Sequence, residues 1–274
     1  MNRRYLLIGV GAAVALIAVW SILSGKRTHS SDTAAVSSSQ SATAAELYAQ
    51  AKKLQSDRDL FKAKEIYQQI MQDFPSYQNI EAVQKQREAI NMEIILSNTP
   101  SPNAVTHEVA VSDTLGVLAK KYNTTIELIK QNNNLKSDTI RVGQKLRVWT
   151  GQFNIFVDKS QNKLMLKVGD EVMKIYDVST GQNNSTPVGD FTITTKLIDP
   201  VWFNRGVVVP PESPENVLGS RWLGFDLPGY GIHGTVEPET IGQQVTAGCV
   251  RMRNQDVEEL YGIIPMGTKV AIVD

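Results

Sequence analysis

Residues 231–252 read GIHGTVEPETIGQQVTAGCVRM, and the rest of the chain is organised around them. The stretch holds the only cysteine of the 274 residues, Cys249, and one of the three histidines, His233. They stand 16 positions apart, each beside glycine, in His233-Gly234 and Gly248-Cys249. A thiol attacks carbonyls as its thiolate, and a neighbouring imidazole can stabilise that form as an ion pair. Cys249 is therefore expected to be a nucleophile and His233 its base, a pair suited to acyl transfer near neutral pH. Glycine before the cysteine lets a substrate carbonyl come close to the backbone, where the amides of Gly248 and Cys249 can form an oxyanion hole. A buried, inert thiol is the bland alternative, because spacing alone does not bring two residues together in space.

The sequence around this stretch, residues 152–274, is β-rich. Short alternating runs at 154–158, 163–168 and 172–178 predict strands, with a hairpin turn at 168–171. A strand at 189–197, a short helix at 256–263 and a last strand at 269–273 complete the pattern. A mainly-β sandwich or barrel with one small helix fits about 120 residues.

Upstream, residues 104–149 predict a compact βααβ unit. A strand at 107–111 leads through Ser112-Asp113-Thr114, a helix cap, into a helix at 115–122. Asn123-Thr124-Thr125 caps a second helix at 126–132, and residues 140–148 return as a strand with a glycine turn. Residues 98–103, NTPSPN, form a proline-bearing linker before it. In 45–98, apolar residues recur at helical spacing in three blocks, broken at Asp57 and Asp59 and again at Phe74-Pro75. Residues 24–44 are rich in Ser, Ala and Thr and are expected to be a flexible tether reaching roughly 70 Å when stretched. Residues 5–23, within an N-terminal region 1–23, are apolar and uncharged, and about 20 such residues cross a bilayer. No Ala-x-Ala exit follows, so an uncleaved N-terminal transmembrane anchor is expected, with the bulk of the chain outside the cytoplasm.

Lys plus Arg (28) balances Asp plus Glu (28), so no basic field points to nucleic acid. One cysteine excludes an intramolecular disulfide. Nothing in the sequence calls for a metal or a cofactor.

Three resemblances sharpen these expectations. His233-Gly234-Thr235 followed by Thr246-Ala247-Gly248-Cys249-Val250-Arg251-Met252 resembles the L,D-transpeptidase (YkuD-like) signature. The likeness extends over 152–274 through Ser179-Thr180-Gly181, 186–191, Trp222-Leu223-Gly224 and the Pro265-x-Gly267-Thr268 lead-in. Ala247 stands where many members carry histidine, as it does in some others. The resemblance implies a cysteine acyltransferase acting on peptidoglycan stem peptides. Cys249 would attack the residue-3 carbonyl and expel the terminal D-Ala, and an acceptor amine would resolve the thioester. His233 would move the protons, Gly234 would orient its ring through a backbone carbonyl, and Gly248 would supply an oxyanion amide. Arg251 would meet a substrate carboxylate or form an internal salt bridge. Trp222 would line the cleft or sit in the core.

Residues 104–149 resemble a LysM domain, through Val109, Asp113-Thr114-Leu115, Leu118-Ala119, Tyr122, Leu128, Asn132, Ile140, Gly143-Gln144 and Leu146. That implies binding of peptidoglycan glycan strands near the loops of Asp113, Thr114 and Leu115 and of Leu135 to Ile140. His107 is expected at a strand edge and not as a ligand. Leu47, Ala51, Leu54, Ala63, Tyr67 and Pro75 resemble a tetratricopeptide repeat, with one 34-residue repeat and part of a second. A short TPR-like helical spacer or self-association unit is the expectation there, with a protein partner of the segment left open. The whole chain is thus expected to be a membrane-anchored enzyme of the cell envelope that cross-links or remodels the wall. An L,D-carboxypeptidase and a non-catalytic peptidoglycan-binding scaffold remain as alternatives.

Overall fold

The computed structural model of the protein describes residues 30–204 and 206–274. It opens with three helices, α1 (Ser30–Ser56), α2 (Leu60–Asp73) and α3 (Ile80–Leu96). Asp59 caps α2 by accepting from the Lys62 N–H, and the helix stops before Phe74-Pro75, where proline cannot continue the ladder. Leu60, Ala63, Tyr67 and Ile70 form its buried stripe, spaced three or four apart.

Helix α1 corrects one expectation, because it takes in much of the 24–44 segment assigned to a flexible tether. Ala44 and Ala51 are fully buried in the core shared with α2 and α3, which fixes the helix. Residues 30–43 contain neither glycine nor proline, and adding residues to an existing helix costs far less than nucleating one. The apolar run 5–23 lies outside the described residues. Among the described residues, no helix is long and apolar enough to cross a membrane.

The βααβ unit comprises β1 (Ala104–Glu108), α4 (Leu115–Tyr122), α5 (Ile126–Asn132) and β2 (Lys145–Trp149), with β1 antiparallel to β2. The hydroxyls of Thr114 and Thr125 cap the two helices. Val109, Leu115, Leu118, Ile129, Leu146 and Val148 close a small core of their own. Strand β1 begins at Ala104, three residues before the expected start, and β2 begins only at Lys145. Residues 141–144 turn instead, with Gly143 at φ 82°, a conformation that glycine adopts without strain.

The remaining elements are β3 (Phe153–Asp158), β4 (Lys163–Val168), β5 (Glu171–Asp177), β6 (Thr180–Gly181) and β7 (Gly189–Ile198). They continue as β8 (Trp202–Asn204), β9 (Val207–Val209), β10 (Arg221–Phe225), β11 (Gly231–His233), β12 (Gln244–Thr246), β13 (Val250–Arg251), α6 (Asn254–Ile263) and β14 (Lys269–Val273). Eight of these strands form one mixed sheet in the order β13-β11-β10-β7-β14-β3-β4-β5. The pairs β11–β13 and β14–β3 are parallel and the others antiparallel. The fold is mainly β, as the sequence pattern requires, but helices and not a second large sheet close its core. Val257, Leu260 and Ile263 of α6, and Ile90, Ile94 and Ile95 of α3, join Ile155, Leu164, Leu166, Ile193 and Val270 in one buried cluster.

The helical segment is therefore no free-standing spacer. Arg87 Nη2 donates to Val172 O at 2.6 Å, and Asn91 Nδ2 to Met173 O at 3.1 Å, so α3 satisfies backbone carbonyls of the edge strand β5. Asn132 Nδ2 and Arg147 Nη2 donate to the last-turn carbonyls of α3, Ile95 O at 2.7 Å and Ile94 O at 2.9 Å. Those carbonyls have no partner inside the helix. Thr125 Oγ1 donates to Gly262 O of α6. The βααβ unit is thus seated on both α3 and the end of α6.

Candidate active site

Strand β11 lies between β10 and β13, with Ile232 opposite Val250 and His233 opposite Arg251. Alternation sends Ile232 and Val250 into the core, both fully buried. His233 and Arg251 then share the other face, and Cys249 stands in the bend two positions before Arg251. One strand across and two residues along places the Cys249 and His233 Cα atoms roughly 8 Å apart. The 16 residues between them are absorbed by the loop that carries β12.

His233 is only 3% exposed, and its Nδ1 lies 2.6 Å from Gly234 O. A carbonyl can only accept, so Nδ1 carries the proton and Nε2 keeps its lone pair. Burial pushes the imidazole pKa down to about 4 and the Arg251 charge adds to this, while the Gly234 and Leu218 carbonyls pull the other way. Burial also raises the Cys249 thiol, against the Gly231 amide and Arg251, which lower it. Both shifts favour neutral thiol and neutral imidazole at rest over the thiolate–imidazolium ion pair that such a pairing can form. Cys249 is half-buried, and its Sγ donates to Gly229 O at 3.5 Å.

Trp222 stacks on the His233 ring, centroids 6.0 Å apart and planes 21° from parallel. Glycines make room for the indole: a Cβ on Gly224 or Gly231 would lie 2.6 or 2.9 Å from Trp222 ring atoms. Trp222 is half-buried, a wall beside the imidazole.

The turn before Cys249 is held by Thr246. Its Oγ1 accepts from the Gly248 N–H at 3.1 Å and donates to Cys249 O at 2.6 Å. The Gly248 amide, expected in the oxyanion hole, is thereby already engaged within the turn. Gly248 has φ 132°, and a Cβ there would lie 2.7 Å from Tyr230 Cε1 and 3.1 Å from Ser185 O. Only glycine fits.

Arg251 forms the internal salt bridge. Its Nη1 donates to Glu237 Oε2 at 2.9 Å and to Thr240 Oγ1 at 3.0 Å, with the residue 7% exposed. In the βααβ unit, the three residues expected to touch glycan also serve the fold. Asp113 Oδ2 accepts from Ala110 N at 2.7 Å and pairs with His107 Nε2 at 2.9 Å, and the same bonds hold its carboxyl below the usual range. Thr114 Oγ1 caps α4 by accepting from Val117 N, and Leu115 is buried in the small core. His107 Nδ1 meets Tyr122 OH at 2.9 Å, so the histidine sits between tyrosine and aspartate.

Sequence reasoning missed three contributors: Thr246, Tyr230 and Asn254. Thr246 stands in the quoted motif, and a hydroxyl three residues before the nucleophile could have been read as a turn lock. Tyr230 and Asn254 gave no signal, since their roles arise only when Tyr230 meets the turn at Gly248 and Asn254 meets the loops holding Ser220 and Thr235. Asn254 Oδ1 accepts from Thr235 N at 2.9 Å and from Ser220 N at 3.2 Å.

Two stretches of the chain match known families. Residues 152–272 match the L,D-transpeptidase catalytic domain (YkuD), and residues 107–149 match the LysM domain. "Putative L,D-transpeptidase YqjB" of Bacillus subtilis is 40% identical over 126 residues, covering 44% of this chain and 70% of that protein. "Putative L,D-transpeptidase YkuD" of the same species is 32% identical over 176 residues, 61% of this chain and 98% of that one. A solved L,D-transpeptidase from Mycobacterium smegmatis aligns with 20% identity and a TM-score of 0.39 over 49% of this chain and 65% of that chain, a slight likeness.

Proposed function

The chain belongs to the YkuD family of L,D-transpeptidases, and from that premise we propose that it transfers the acyl group of a peptidoglycan tetrapeptide stem through a Cys249 thioester. One observation carries this reading: a buried imidazole with its proton fixed on Nδ1 by Gly234 O, on the strand paired with the one that Cys249 leads into.

In the first half-reaction, Cys249 Sγ leaves Gly229 O, gives its proton to His233 Nε2 and attacks the carbonyl carbon of stem residue 3. The Cys249 amide, beside the thiol and outside the Thr246 lock, would face the developing oxyanion. The C–N bond to D-Ala breaks, and the proton on Nε2 passes to the departing amine. In the second half-reaction an acceptor amine attacks the thioester, Nε2 takes its proton, and the C–S bond breaks with return of the thiol. Imidazolium appears only transiently, and its Nδ1–H contact with Gly234 O strengthens as charge develops.

The LysM match supports binding of peptidoglycan glycan strands by residues 107–149, and with it a wall-associated, extracytoplasmic location. The glycan contacts would come from the loops at residues 113–115 and 135–140, with exposed side chains such as Val111 and Val142 beside them. The apolar run 5–23 would hold the chain at the membrane, a reading that rests on sequence alone.

Mass spectrometry of muropeptides after incubation with the purified protein tests the assignment. Dimers with 3→3 links are expected. Shortened monomers alone would make the protein an L,D-carboxypeptidase, and unchanged muropeptides would leave a wall-binding scaffold.

A further inference from the structure

The imidazole of His233 is held by the Gly234 carbonyl, and the Leu218 backbone also faces the ring. Both belong to loops, and loops need an anchor to keep a catalytic ring in one orientation. The anchor is visible in one atom. Asn254 Oδ1, at the first residue of α6, accepts from the amides of Thr235 and Ser220. The Thr235 N–H and the Gly234 C=O belong to the same peptide unit. In a trans peptide they point in opposite directions, so the N–H aimed at Asn254 aims the C=O at His233 Nδ1. The second bond secures Ser220, two residues after Leu218. The fit is close: a Cβ on Gly219 or Gly234 would collide with Asn254 Oδ1.

We propose that Asn254 is a positioning residue for the reaction, acting on His233 through the Gly234–Thr235 peptide. The chain of contacts runs from Asn254 Oδ1 to Thr235 N–H, across the peptide to Gly234 O, and on to His233 Nδ1–H. Hydrogen bonds in series polarise one another, so the acceptor at the far end makes Gly234 O a better acceptor. It thereby holds the tautomer that leaves Nε2 unprotonated. An aspartate in this place would add a full charge to a contact that asparagine makes neutral. The inference deepens the reading of His233 as the base and rests on it.

The groups facing the imidazole come from each neighbouring element. Strand β13 presents Arg251, with Cys249 just before it. Strand β10 presents Trp222, the turn before β10 presents Leu218, and α6 presents Asn254. The one charge among them is Arg251, itself paired with Glu237, so a new carboxylate at 254 acts beside an ion pair that is already made.

The test is a pH titration of the His233 ring nitrogens by long-range proton–nitrogen NMR, with the signal identified by its loss in His233→Gln. Asn254→Asp keeps both acceptor contacts and adds the charge. The imidazole should titrate a unit or so higher than in the unaltered protein, and the acid limb of kcat/KM should move with it. Asn254→Ala should lose the single Nδ1–H tautomer and lower kcat by roughly ten- to hundredfold with KM nearly unchanged. If the alanine variant does not fold, the aspartate variant carries the test alone. An imidazole titration unmoved in Asn254→Asp would overturn the proposal. A shifted titration without a shifted activity profile would support the peptide contact and remove His233 from the role of base.

Discussion

Trp222 and His233 face each other across the β10–β11 pair as direct register partners, their rings stacked 6.0 Å apart. The indole covers one side of the imidazole and helps to keep water from it. That is why the ring is buried at the mouth of a site that must still admit a peptide. Trp222→Ala would open this side, and the desolvation that depresses the His233 pKa would weaken. The acid limb of kcat/KM should then rise from near pH 4 toward the ordinary imidazole value of about 6.5. The accompanying drop in kcat should be roughly ten- to hundredfold, because the ring is free to tilt. A steady-state pH profile of the variant checks both.

The same burial links stability to pH. A histidine that folds with its pKa lowered to about 4 binds fewer protons folded than unfolded between that value and about 6.5. Its neutral form contributes fully above pH 6.5, and stability is lost as pH falls through this window. The loss reaches about 3 kcal/mol below pH 4. Urea unfolding of the protein and of His233→Gln, measured from pH 7.5 to 4, isolates this contribution, since every other acid-sensitive group is common to both. The stability difference should shift toward the variant as pH falls. Parallel curves would mean that the ring is not buried neutral.

The turn at Gly248 leads to a third expectation. Gly248→Ala forces a side chain into left-handed backbone and against Tyr230, a strain on the order of 1–3 kcal/mol. It should abolish turnover even where the protein still folds, because relief of the clash moves Cys249. Thr246→Val removes the hydroxyl that ties the Gly248 amide to Cys249 O, and Thr246→Ser retains it. Acylation rates should fall about tenfold or more for valine and stay within a few-fold for serine. Stopped-flow acylation with a chromogenic thioester substrate would read the difference.

How much of this was legible in the sequence depended on how local each feature was. Helix boundaries such as Ile80–Leu96, Leu115–Tyr122 and Ile126–Asn132 follow from apolar spacing and caps, which act within a few residues. The cysteine–histidine pair was visible through residue type and motif. Residues 30–44 misled because a Ser/Ala/Thr run has little apolar surface of its own, yet extends a helix whose stability comes from Ala44, Ala51 and the packing beyond. The motif marks Asp113, Thr114 and Leu115, but a motif does not say whether a residue touches ligand, builds the module or does both. The protonation of the pair was hidden too. It depends on burial by Trp222, Leu218 and the loops, which the order of residues does not show. Asn254 was least legible, because its contacts span 34 and 19 positions of chain.

The central claim is that Cys249 carries the acyl group after D-Ala has left. Release of D-Ala from a purified tetrapeptide muropeptide, followed in the unaltered protein and in Cys249→Ala, tests it most directly. The unaltered protein should release D-Ala stoichiometrically with tripeptide-linked product, and the variant should release none above background while keeping its unfolding midpoint. Equal release by the two, or no release by the unaltered protein, would contradict the thioester route.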